Sequence, residues 1–68
     1  MYRQFVSSSN IRSIGYENGT LEIEFNRGGI YQYLNVPEST YHSLMYASSH
    51  GSYFENYIKH SYPTIKIC

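Results

Sequence analysis

A stretch of 22 residues, Thr20 to Tyr41 (TLEIEFNRGGIYQYLNVPESTY), constrains the fold more than any other part of the chain. Leu21, Ile23 and Phe25 alternate with Glu22 and Glu24, the period-2 pattern of a strand with one face in a core and one in water. Asn26-Arg27-Gly28-Gly29 follows, and two adjacent glycines make a tight reversal cheap. Ile30-Tyr31-Gln32-Tyr33-Leu34 returns as a second strand rich in branched and aromatic residues. A loop of Arg27-Gly28-Gly29 puts Phe25 beside Tyr31, Ile23 beside Tyr33, and Glu24 beside Gln32. A loop of Arg27-Gly28 alone puts Ile23 beside Gln32. The first separates polar from apolar better and is preferred, because a one-residue slip moves every side chain to the other face. Asn35-Val36-Pro37-Glu38 then reads as a helix start, with proline in the first turn and a carboxylate near the positive end of the helix dipole.

The flanking segments extend this hairpin. Ile11–Tyr16 reads as a strand with Ile14 and Tyr16 inward, and Gly15 between them leaves room for a close neighbour. Asn18-Gly19 is a turn signal. Pairing Tyr16 with Leu21 and Ile14 with Ile23 makes the apolar faces agree, which gives a three-stranded antiparallel meander. Phe5 and Val6 either tuck under the core or start an edge strand, and Ser7-Ser8-Ser9-Asn10 is a loop. Pro37 to about Ala47 is the first helix, with Tyr41, Leu44 and Met45 on one stripe. Ser48–Ser52 breaks it. The second helix starts at Ser52, with Ser52 and Glu55 as a capping box, or one turn earlier at Ser49. Its apolar face is Tyr53, Phe54, Tyr57 and Ile58, and it stops near Lys59-His60 ahead of Pro63. Thr64–Ile67 is a short strand-like segment suited to a sheet edge. The expected fold is α+β: a three-stranded antiparallel meander packed against two C-terminal helices, in one domain spanning residues 1–68.

Size and charge limit what such a domain can do. A 68-residue chain buries only about 60% of its unfolded surface, and the single cysteine, Cys68, cannot form an internal disulfide. The core therefore rests on aliphatics, three Phe and nine Tyr. Five basic and five acidic residues give zero formal charge, without the basic excess of most nucleic-acid binders. No apolar run is long enough for a membrane span or a signal peptide, and the lone cysteine fits a cytoplasmic setting.

The ordered set Ser8-Ser9-Asn10-Ile11, Ile14-Gly15-Tyr16, Leu21–Phe25, Gly28, Tyr31-x-Tyr33, Val36-Pro37, Ala47-Ser48, Gly51-x-Tyr53-Phe54, Ile58 and Tyr62-Pro63 resembles the KTSC domain family. That family is named for its place at the C-terminus of some lysyl-tRNA synthetases, and it also occurs as single-domain bacterial and phage proteins. Its landmark is the central Tyr-x-Tyr. The resemblance implies a stand-alone member, no catalytic residues, no cofactor, and RNA as the class of partner.

Candidate contacts were weighed against ordinary structural roles. Tyr31 and Tyr33 suit a base-stacking platform, but the pairing above favours the core, leaving Glu22, Glu24 and Gln32 as a solvated face. Arg12, Arg27, Lys59, His60, Tyr62 and Lys66 are the candidate nucleic-acid contacts, against the plainer reading of solubilising charge. His42, His50 and His60 lack converging ligand spacing, so no metal is expected. The loop serines lack an oriented base and are not read as nucleophiles. Two functions stay open: a non-catalytic module for RNA (tRNA or a single strand), and a protein-interaction module docking through exposed tyrosines or a sheet edge.

Overall fold

The computed structural model describes all residues from Met1 to Cys68. Five strands, β1 (Gln4–Phe5), β2 (Ile11–Glu17), β3 (Thr20–Phe25), β4 (Ile30–Tyr33) and β5 (Thr64–Lys66), form one antiparallel sheet in chain order. Helices α1 (Glu38–Tyr46) and α2 (His50–Tyr57) lie between β4 and β5 in the chain. The α+β class is as expected, but the sheet has five strands, not three. The two extra strands are short edges whose residues are exposed, so neither carries the alternation that marks a half-buried strand.

The β2–β3 hairpin has the expected register, with Ile14 opposite Ile23 and Tyr16 opposite Leu21. Asn18 and Gly19 turn it with φ of 51° and 81°, the two positive values a tight two-residue turn demands. The β3–β4 hairpin departs from the preferred loop. Leu21 faces Tyr33, Ile23 faces Tyr31 and Glu22 faces Gln32, a shift of two residues that keeps every side chain on its expected face. The loop is Asn26-Arg27-Gly28. Gly28 donates its N–H to the Phe25 carbonyl at 2.9 Å, and Phe25 donates to the Gly29 carbonyl at 3.1 Å. Gly28, at φ +103°, supplies the left-handed residue that closes a three-residue hairpin loop.

The inward face of the sheet packs against the helices. Ile11, Ile14, Leu21, Ile23, Tyr33 and Val36 meet Leu44 of α1, Phe54 of α2 and Ile58 just past its end, all nearly inaccessible to water. Tyr41 of α1 stacks on Tyr16 at 4.6 Å, and the Tyr16 hydroxyl donates to the Val36 carbonyl, tying the start of α1 to the sheet. Ser49 caps α2 by accepting from the Ser52 N–H at 3.1 Å, so of the two possible starts the earlier one is used. His50 and Gly51 therefore belong to the helix and do not break the chain. Tyr57, assigned to the apolar face of α2, is instead exposed.

The outward face is not the solvated surface expected of Glu22, Glu24 and Gln32. The N-terminal segment crosses it. A Cβ on Gly15 would lie 2.5 Å from the Tyr2 carbonyl oxygen, so glycine lets this segment lie directly on β2. Arg3 reaches past it to an ion pair with Glu22, donates to Ser13 Oγ at 2.9 Å, and approaches Glu24 at 3.8 Å. Glu22 also accepts from Gln32 Nε2 at 2.8 Å, and it is 4% exposed. Burial by itself pushes the Glu22 carboxyl upward. Hydrogen bonds from Gln32 and Arg3, and the charge of Arg3, outweigh burial and hold it below its ordinary value.

Candidate functional site

One cavity of about 580 Å3 opens where the β3–β4 hairpin tip, α2 and β5 converge. Its aromatic wall is Phe25, Tyr31, Tyr33 and Phe54. Phe54 stands edge-on to both Phe25 and Tyr33, with ring centroids 5.4 and 5.3 Å apart, so this wall is braced by the core. Its polar groups come from Arg27 on the hairpin loop, Lys59 and His60 after α2, Glu55 on α2, Asn10 ahead of β2, and Thr64 at the start of β5.

Each polar group is placed by local structure. The tight Asn26–Gly28 loop holds Arg27 at the hairpin tip, where its side chain is exposed. The helix ends at Tyr57, and Lys59 N–H still bonds to the Phe54 carbonyl at 3.0 Å, which sets the direction of Lys59 and His60. Lys59 Nζ lies 3.4 Å from the Glu55 carboxylate one turn back. Ser8 Oγ accepts from the N–H groups of Asn10 and Ile11 at 3.2 Å, fixing the bend that presents Asn10. Asn10 rests on Gly51, whose place a larger residue would crowd, with Asn10 Nδ2 only 3.1 Å from a Cβ built there.

The six candidate contacts divide. Arg27, Lys59 and His60 share the cavity. Lys66 stands beside it, its Nζ 5.9 Å over the Tyr31 ring. Tyr62 is half-buried against the core. Arg12 lies elsewhere: it is the extra residue of the bulge between Ile11 and Ser13, stacks over Phe5 at 5.7 Å, and sits 3.8 Å from Glu24 on the outward face. The choice between core and surface for Tyr31 and Tyr33 resolves by residue. Tyr33 is a core residue at 4% exposure, Tyr31 is half-exposed, and both line the cavity. Asn10 and Glu55 were not singled out from the sequence. The one available signal was small Gly51, which lets Asn10 close on α2.

Zero net charge conceals a separation. Arg3 and Arg12 are committed to Glu22 and Glu24 on the outward face. Arg27, Lys59 and Lys66 gather at the cavity, with Glu55 as the one carboxylate side chain lining it. No group of three or more His, Cys, Asp or Glu residues converges to hold a metal ion. No helix is long and apolar enough to cross a membrane.

The family model of the KTSC domain matches residues 7–62, which include the whole aromatic wall and every basic residue of the cavity. The chain belongs to the KTSC domain family. A crystal structure of a KTSC domain protein from Yersinia pestis superposes with a TM-score of 0.96 at 48% identity, covering 98% of this chain and 97% of that one. An uncharacterized protein of Stutzerimonas stutzeri is 39% identical over 61 residues, 87% of this chain and 86% of that protein. A lysine–tRNA ligase of Nostoc punctiforme is 42% identical over 53 residues, 75% of this chain but 9% of the ligase. In the ligase, the matching segment is thus one small part of a much larger protein.

Proposed function

We propose that this KTSC domain is a non-catalytic module that binds single-stranded RNA through the cavity between the β3–β4 hairpin, α2 and β5. The observation that carries this reading is the meeting of Arg27, Lys59 and His60 with Tyr31, Tyr33 and Phe54 around one concavity. Cations beside aromatic rings form the combination that holds a phosphate backbone and stacks a base. Gathering Arg27, Lys59 and Lys66 at one end of the molecule, with Glu55 the one carboxylate side chain beside them, supplies locally what zero net charge denies overall. The presence of a similar segment in a protein named a lysine–tRNA ligase supports RNA as the nucleic acid.

The test is fluorescence anisotropy of a labelled, unstructured RNA strand across a salt series. Single strands lose affinity with a log–log slope of about −0.7 per neutralised phosphate, so engagement of Arg27, Lys59 and Lys66 predicts a slope near −2. Arg27→Ala and Lys59→Ala each lower the slope magnitude by about 0.7. Absence of saturable binding at low salt contradicts the proposal.

A protein partner is the second reading. It is favoured by Phe5 and Tyr46, which stand 71% and 87% exposed and are held by no neighbour in the core. Phe5→Ser and Tyr46→Ser leave RNA binding unchanged if the cavity is the site. They abolish partner capture if the aromatic surface is.

A further inference from the structure

Tyr33 is the least expected feature of the cavity. It is 4% exposed and belongs to the core, yet it lines the opening. Its hydroxyl makes no hydrogen bond to any group of the chain, and no side-chain polar atom of the protein is both fully buried and unpartnered. The phenol oxygen is therefore not sealed from solvent, Tyr33 lines the cavity, and the pairing of its hydroxyl is left to what enters there. A buried ring that ends in an unpaired polar tip is a fixed hydrogen-bonding group at the bottom of a site.

The size and limits of the cavity restrict what can enter. About 580 Å3 falls within the roughly 300–1,000 Å3 of pockets that enclose a molecule of drug size, which describes one nucleotide and not a run of stacked bases. The other concavity of the molecule, about 250 Å3 between Gln4 and Tyr41, His42, Met45 and Tyr46 of α1, shares no residue with it and has no lysine or arginine.

Resting on the RNA-binding reading above, we propose that the cavity holds the terminal nucleotide of a single strand: Arg27 and Lys59 take its phosphate, and the Tyr33 hydroxyl and the Asn10 carboxamide hydrogen-bond its base. The strand enters end-on and leaves over Tyr31, which lines the cavity, and Lys66, whose Nζ lies 5.9 Å from the Tyr31 ring. Phosphate at Lys59 replaces its contact with Glu55, which is exposed and therefore weak. Burial, reinforced by neighbouring Tyr31 and Glu55, pushes the Tyr33 phenol up to about 12. It stays a neutral hydrogen-bond donor across the working range.

The decisive experiment compares one unstructured RNA sequence in linear and covalently closed circular form against the full chain, with Tyr33→Phe alongside wild type. End recognition predicts that the linear strand binds wild type at least about tenfold more tightly than the circle, the scale of one or two well-made hydrogen bonds. Tyr33→Phe reduces linear affinity towards that of the circle. Equal affinity of the two forms overturns end recognition while leaving RNA binding intact. Binding of neither form removes both. Unchanged linear affinity in Tyr33→Phe overturns the role given to its hydroxyl. If that variant fails to unfold cooperatively in urea, the comparison of linear and circular strands on wild type decides alone.

Discussion

Glu22 carries the most consequence for a single residue outside the cavity. It is a carboxylate taken out of water, and Arg3 and Gln32 are what keep it charged there. Removing one partner of such a pair leaves an uncompensated charge, so Arg3→Ala is expected to cost about 2 kcal/mol at neutral pH; partial exposure of Arg3 keeps the loss below that of a fully buried pair. The sign of the pH dependence follows from the depressed carboxyl. Its stabilising contribution is present above the ordinary value of 4.5 and is lost as pH falls through the lower folded-state value. Urea denaturation at pH 7 and pH 3 should show the gap between wild type and Arg3→Ala closing on acidification. A gap of the same size at both pH values contradicts the assignment. Little of this was visible in the sequence. Glu22 and Glu24 alternate with apolar residues as solvated positions do, and one arginine in an N-terminal segment carries no local signal. Gly15 inside a strand was the clue, since it marked a close approach without saying by what.

Among the elements, α1 is held most narrowly. Leu44 is its one fully buried residue, with the Tyr41 stack on Tyr16 beside it. Leu44→Ala is expected to lose about 2–5 kcal/mol by removing buried methyls and leaving a cavity. In so small a domain that approaches the whole of its stability, so a urea unfolding midpoint close to wild type would contradict this packing. Elements with strong periodicity or explicit turn chemistry were legible: β2, β3, the Asn18-Gly19 turn and both helices. The β3–β4 register was legible only in its faces. Parity follows from alternation, whereas the partners depend on where the loop begins, and two adjacent glycines, both at positive φ, allow more than one placement. The edges β1 and β5 were legible as strand-like segments, but their partners were not, because the pairing comes from distant chain. Leu34 N–H reaches the Pro63 carbonyl at 2.9 Å, and Ile30 N–H reaches that of Cys68 at 3.1 Å.

In the molecule as a whole, the sheet separates two charged regions. On the outward face arginines and glutamates neutralise one another, and at the end of the inward face Arg27, Lys59 and Lys66 outnumber the one carboxylate, Glu55. The residue types of the proposed site were legible, and three of the six candidate contacts fall in one cavity. Arg12 could not be excluded from sequence because only the bulge turns it to the other side. Asn10 and Glu55 could not be included because the cavity joins segments more than forty residues apart. The central claim is that this cavity is where RNA binds, and amide chemical-shift mapping by NMR during titration with an unstructured RNA strand tests it most directly. Saturable shifts concentrated at Asn10, Arg27, Gly28, Gly51, Lys59 and His60 are expected, with the outward-face residues Arg12, Ser13 and Glu24 unmoved. Shifts gathered on the outward face, or none at all, would contradict it.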